Sequence, residues 1–114
     1  MSKIIEFGKE RFKELKAYKK HLPPLKKACL ELLPDAKLFL FGSVLRDELV
    51  ALSDIDLLIT TKRTFETQLE RAEIISTIEE KAHLSLIHPF DIHLLSQEEF
   101  KTFLDITKVR LKQI

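Results

Sequence analysis

The sequence has a single cysteine, Cys29, which excludes any disulfide within the chain. It has no apolar run near the roughly 18 residues that a membrane-crossing helix needs. The N-terminus enters a charged helical pattern at once, without the layout of a signal sequence, so a cytoplasmic location and no membrane partner are expected. Tryptophan and asparagine are absent and methionine occurs once, which, with many Lys and Glu, fits a heat-adapted composition. There is no large charge excess either: the net charge is +1 at pH 7, which gives no global reason to bind nucleic acid. No internal repeat or low-complexity linker interrupts the 114 residues.

What is present is apolar residues at 45% beside charged ones at 32%, a balance that buries a core and argues against disorder. A chain of this length supports one domain, spanning 1–114. Its charge is unevenly placed. From Lys3 to Lys27 there are nine Lys or Arg against three Glu. A solvated helix face is the expected use of these cations, and contact with RNA or a phosphorylated partner the less favoured one.

Helical spacing of Ile4, Ile5, Phe12, Leu15 and Leu22 after Ser2 predicts a helix that Pro23-Pro24 stops. Pro24 then opens a second helix with a core stripe at Leu25, Ala28, Cys29, Leu32 and Leu33, so residues 1–34 read as N-terminal helices. The nearly all-apolar run Ala36 to Phe41, broken only by Lys37, predicts a strand buried on both faces, ending at Gly42-Ser43. Val44 to Val50 is long enough for two helical turns, and Ser53 to Thr60 alternates as a second strand. Thr64 to about His83 reads as a long helix with Phe65, Leu69, Ala72, Ile75, Ile78 and Ala82 inward. After the connection Leu84 to Pro89, Phe90 to Leu95 is a third strand, and Ser96-Gln97-Glu98-Glu99 is a capping box for a last helix buried through Phe100, Phe103 and Leu104. The expected fold is α/β (α+β): a small mixed sheet of three to four strands with helices packed on it.

Three features carry chemistry. A glycine between a buried strand and a helix lets backbone approach a ligand, and the N–H groups of the helix start favour phosphate; Ser43 adds a hydroxyl there. Asp54 and Asp56, two apart on one strand, leave the same face and suit one or two hard cations. Close carboxylates repel unless a base or a metal neutralises them, so two acids in an apolar strand call for an explanation. Asp91, set into Phe90-Asp91-Ile92-His93-Leu94-Leu95, is a third acid that a neighbouring strand can bring beside them. His88, Asp91 and His93 also invite a zinc reading, for which packing of His93, or contact of His93 with a substrate or a metal ligand, is the preferred alternative. Cys29 lies on a core stripe and reads as a small buried hydrophobe.

The span Phe41-Gly42-Ser43, ten residues, then Asp54-Ile55-Asp56-Leu57 resembles the signature of the DNA polymerase β-like nucleotidyltransferases, especially the minimal nucleotidyltransferases, over roughly Leu38 to Ser96. That resemblance implies the nucleotidyltransferase fold and transfer of a nucleoside monophosphate, AMP foremost, from a triphosphate such as ATP to a hydroxyl. It implies two Mg²⁺ ions held by Asp54, Asp56 and Asp91, and β- and γ-phosphates bound by Gly42 and Ser43. Asp91 would also help deprotonate the acceptor hydroxyl. Arg46 matches an arginine that touches phosphate or braces the acids. The glycine that commonly follows this arginine is replaced by Asp47, with Glu48 next. Proteins of this kind are commonly encoded beside an all-helical HEPN-type partner and act as the antitoxin of a toxin–antitoxin pair, so a hydroxyl on such a partner is the implied acceptor. Two alternatives stay open: a catalytically weak or inactive nucleotide-binding module acting by protein contact, and a stand-alone transferase for a small molecule such as an aminoglycoside.

Overall fold

The computed structural model describes residues 9, 13, 15–46 and 54–114. The first predicted helix therefore falls mostly outside the described residues, although Leu15 is fully buried in the core. Residues Tyr18–His21 form a 3₁₀ turn that leads directly into α1 (Leu22–Leu32). Pro23 and Pro24 thus lie within the first turn of α1 and do not separate two helices. Proline is tolerated there because first-turn N–H groups have no partner inside the helix. The thiol of Cys29, buried in α1, is pushed up to about 11 by desolvation first and by Asp35 second, as fits a packing residue.

Strand β1 (Lys37–Phe41) is followed by a 3₁₀ helix over Gly42–Arg46, and β2 covers Ile55–Thr61. The predicted two-turn helix Val44 to Val50 extends beyond the described residues, which stop at Arg46 and resume at Asp54. Asp54 precedes β2 and does not belong to it.

Helix α2 spans Gln68–Lys81, four residues later than Thr64 suggested. The Thr67 hydroxyl accepts the Glu70 N–H and fixes that start. Of the positions expected inward, Ile75, Ile78 and Ala82 do face the core, joined by Ile74, whereas Leu69 and Ala72 are exposed. Phe65 stays in the preceding loop, with the Arg63 and Arg71 guanidinium carbons 5.8 and 4.8 Å from its ring centre.

Strand β3 (Phe90–Ser96) passes directly into α3 (Gln97–Thr107), and Ser96 and Glu99 complete the predicted capping box: Glu99 N donates to Ser96 Oγ and Ser96 N to Glu99 Oε1. No residue of α3 is fully buried; Phe100 and Phe103 are half-buried. A fourth strand, β4 (Lys112–Gln113), is too short to announce itself in a sequence.

The sheet order is β3-β2-β1-β4, with β2 and β3 parallel and the other pairs antiparallel. A parallel pair needs a crossover, and α2 supplies it. Leu38, Leu40, Ile55, Leu57, Ile59 and Leu94 meet α1 and α2 on one face. On the other face Phe39 stacks on Phe100 at 5.4 Å and Phe41 meets Phe103 edge-on at 5.6 Å, so α3 covers that side. Central β2 is buried on both faces, which explains its unbroken Leu57-Leu58-Ile59 run.

Two polar ties hold the ends of this arrangement. Asp35 accepts from Thr61 Oγ1 at 2.8 Å and from Lys62 N at 2.6 Å, fastening the exit of β2. Arg71 donates to the Leu94 carbonyl at 2.6 Å and forks onto Glu99 at 2.9 and 3.0 Å, joining α2, β3 and α3.

The Arg71 fork, with the Ser96 N–H behind it, holds the Glu99 carboxyl down from 4.5 to about 2. A depressed carboxyl contributes stability above its unfolded value that disappears as pH falls through the folded one. Glu99→Gln is therefore expected to flatten the stability loss between about pH 4.5 and 2, measured by denaturant melts. The effect will be modest, because the Glu99 side chain is 43% exposed and solvent screens the pair. An unchanged acid limb in the variant would refute this role.

Candidate active site

Register places the site. Phe41 pairs with Asp56 across the antiparallel β1–β2 ladder, and Asp56 pairs with Asp91 across the parallel β2–β3 ladder. Ile55 N donates to the Pro89 carbonyl at 2.8 Å, which starts the β2–β3 pairing one residue before the acids. Asp56, Asp91 and His93 alternate with core residues and so stand on the sheet face that α3 only partly covers.

Their donor atoms converge. Among the described residues, Asp56, Asp91 and His93 each offer a ligand atom within 4.8 Å of the others'. His93 Nε2 lies 3.2 Å from Asp91 Oδ2 and 3.7 Å from Asp56 Oδ1. That nitrogen is shut off from solvent, yet neither carboxylate is aligned to bond it. The His93 ring also packs on Phe41 at 5.4 Å, so packing and proximity to the acids coexist. Asp56 has its pKa raised, first by burial and then by the Asp91 charge, with His93 opposing and Asp54 adding a little.

A half-buried carboxylate beside a second one, with an orphaned imidazole nitrogen between them, is a donor set that fits a divalent cation. Oxygen ligands suit Mg²⁺ or Mn²⁺, and an imidazole is a good ligand for the later metals.

Asp54 is not part of this converging group. It is exposed and precedes the first paired residue of β2, where no ladder fixes it. It lies near enough to act on the charge of Asp56. His88 is elsewhere as well: Nε2 meets Glu79 and Nδ1 accepts the Phe90 N–H at 3.1 Å, so it steadies the turn into β3. Sequence reasoning set His93 aside as a ligand. Its two-residue spacing from Asp91 on one strand face was the signal that could have promoted it.

Gly42 completes the site from below. Its backbone has φ +80°, a left-handed value that glycine alone adopts without strain. A Cβ built there would collide with Asp56 Oδ2 and lie 3.3 Å from Asp56 Cγ. The missing side chain is what lets the acid lie over the turn. Ser43 follows, half-buried, and Arg46 is exposed at the end of the 3₁₀ helix. Asp47 and Glu48 lie outside the described residues.

The family model described as "nucleotidyltransferase domain" matches residues 22–112. That span includes the Gly42-Ser43 turn, all four strands except Gln113, and the converging acids. No curated protein and no solved structure matches the chain.

Proposed function

The chain belongs to the nucleotidyltransferase domain family, and from that premise we propose that it transfers a nucleoside monophosphate, AMP from ATP, to a hydroxyl, with divalent-metal assistance. The observation that carries this reading is the stacking of Gly42 beneath the Asp56 carboxylate, itself paired in register with Asp91. A glycine turn and an acid pair meet at one point.

In this reading Gly42 and Ser43 bind the β- and γ-phosphates and Arg46 adds positive charge to them. Asp56 and Asp91, with His93 beside them and Asp54 nearby, would hold two Mg²⁺ ions. When bound, the ions lower the pKa of the attacking hydroxyl and absorb charge developing on the triphosphate. The acceptor oxygen forms a bond to the α-phosphorus, the bond to the bridging oxygen breaks, and pyrophosphate leaves. The acceptor proton passes to Asp91, whose exposed carboxylate can release it to solvent.

The acceptor we favour is a hydroxyl on a small all-helical HEPN-type partner, as in an antitoxin that modifies its toxin. A cytoplasmic location agrees with it. Among the described residues no helix is long and apolar enough to cross a membrane.

Incubation with ATP labelled at the α-phosphate, Mg²⁺ and candidate partner proteins should give a labelled product and free pyrophosphate. Absence of label transfer, together with no nucleotide binding by calorimetry, would overturn the proposal.

A further inference from the structure

Tyr18 and Lys19 meet Arg110, Leu111 and Lys112 beside the 3₁₀ helix Gly42–Arg46. Together they line a cavity of about 350 Å³, with Leu40, Val44 and Leu45 completing its walls. Among the described residues it is lined by three cationic side chains and no acidic one. This concentration is not inherited from the composition, since the whole chain is nearly neutral. It arises because β4 pairs with β1, Lys112 opposite Leu40, and so returns the C-terminal cations to the basic N-terminal segment.

Three cations on one cavity suit a chain of phosphates, which meets several positive charges at once. Lys13 and Lys20 are exposed on the same basic segment. Tyr18 and the aliphatic Leu40, Val44, Leu45 and Leu111 give the same cavity apolar atoms, and its volume lies in the range of small-ligand sites. An aromatic side chain and cations on one site is how sequence-tolerant sites hold a single strand: bases stack while Lys and Arg follow the backbone.

We propose that this cavity binds one nucleotide unit of a single-stranded nucleic acid, at a site separate from the Asp56 cluster. The inference rests on this geometry and not on the transfer reading. Asp56 stands on the opposite face of the sheet from Leu40 and Val44, which belong to the core under α1 and α2.

A fluorescent RNA of about twelve nucleotides, long enough for one such site, followed by anisotropy at about 50 and about 200 mM salt, tests this with the full chain. The wild-type chain should bind, and more weakly at the higher salt. Lys19→Glu/Lys112→Glu should bind at least about tenfold more weakly, with the salt slope reduced by about two. Lys26→Glu/Lys27→Glu makes the same change of charge at exposed positions of α1 away from the cavity, and should lose less than about threefold. Arg110→Ala, which touches no strand, should weaken binding if the β4 substitution disturbs folding by circular dichroism. Asp56→Asn should bind as the wild type does.

Equal losses from the two lysine pairs would overturn the proposal, as would absence of binding at low salt. Loss of binding in Asp56→Asn would place the strand at the acid cluster instead. Competition by AMP as effective as by the oligonucleotide would make the cavity a mononucleotide site, which also overturns it.

Discussion

Asp56→Asn is expected to reduce nucleotidyl transfer by at least about 10²–10³-fold, the loss typical when one group that stabilises transition-state charge is removed, and to abolish measurable Mg²⁺ or Mn²⁺ binding by calorimetry. It should do so while making the metal-free protein slightly harder to unfold. Burial and the Asp91 charge raise the pKa of Asp56. A group whose folded value is raised contributes stability below its unfolded value and loses it as pH rises through the folded one, so at neutral pH the ionised Asp56 works against the fold. The amide keeps the shape and removes that charge. The test is paired: transfer by labelled ATP, and a thermal midpoint at neutral pH with chelator present. Full activity in the variant would refute the role given to Asp56. A lower midpoint would refute the charge argument alone.

Gly42→Ala should be the most damaging small substitution in the chain. An alanine held at φ +80° costs roughly 1–2 kcal/mol in backbone strain. The new Cβ would also push into Asp56 Oδ2. Displacing a reacting group by about 1 Å can cost about 10²-fold in rate, so activity should fall by that order even where the protein stays folded. The two costs separate in a double-mutant cycle. In an Asp56→Ala background the collision is gone and only the backbone strain remains, so Gly42→Ala should destabilise that protein less than the wild type. Equal destabilisation in both backgrounds would show that the carboxylate does not press on the turn.

Much of this arrangement was readable in the sequence, for identifiable reasons. Apolar runs gave the three long strands, because a strand buried on both faces has few polar positions. The capping box at Ser96–Glu99 gave the start of α3, because its two hydrogen bonds need those residue types at that spacing. Asp91 was readable as a neighbour of Asp56 through strand order. The register that sets the two side by side was not, since it follows from how α2 closes the crossover. Thr64 and Thr67 both offer a capping hydroxyl, and only packing decides between them; packing likewise leaves Leu69 and Ala72 exposed at the start of a stripe whose later members, Ile75, Ile78 and Ala82, reach the core. Strand β4 has two residues and no pattern of its own. The fit of Gly42 against Asp56 is a tertiary contact, invisible to any local signal.

Asp56 and Asp91 lie on neighbouring strands, but the whole of α2 separates them along the chain. Neither local helix formation nor the β1–β2 pairing can bring them together. They meet only after the long loop between β2 and β3 has closed, the step whose entropy cost makes parallel pairings slow. A divalent ion that needs both carboxylates will thus ignore partly folded chains and bind the finished one, drawing the folding equilibrium toward completion by mass action. In a refolding experiment, the return of metal affinity would time the closure of the β2–β3 crossover, later than the recovery of helical signal.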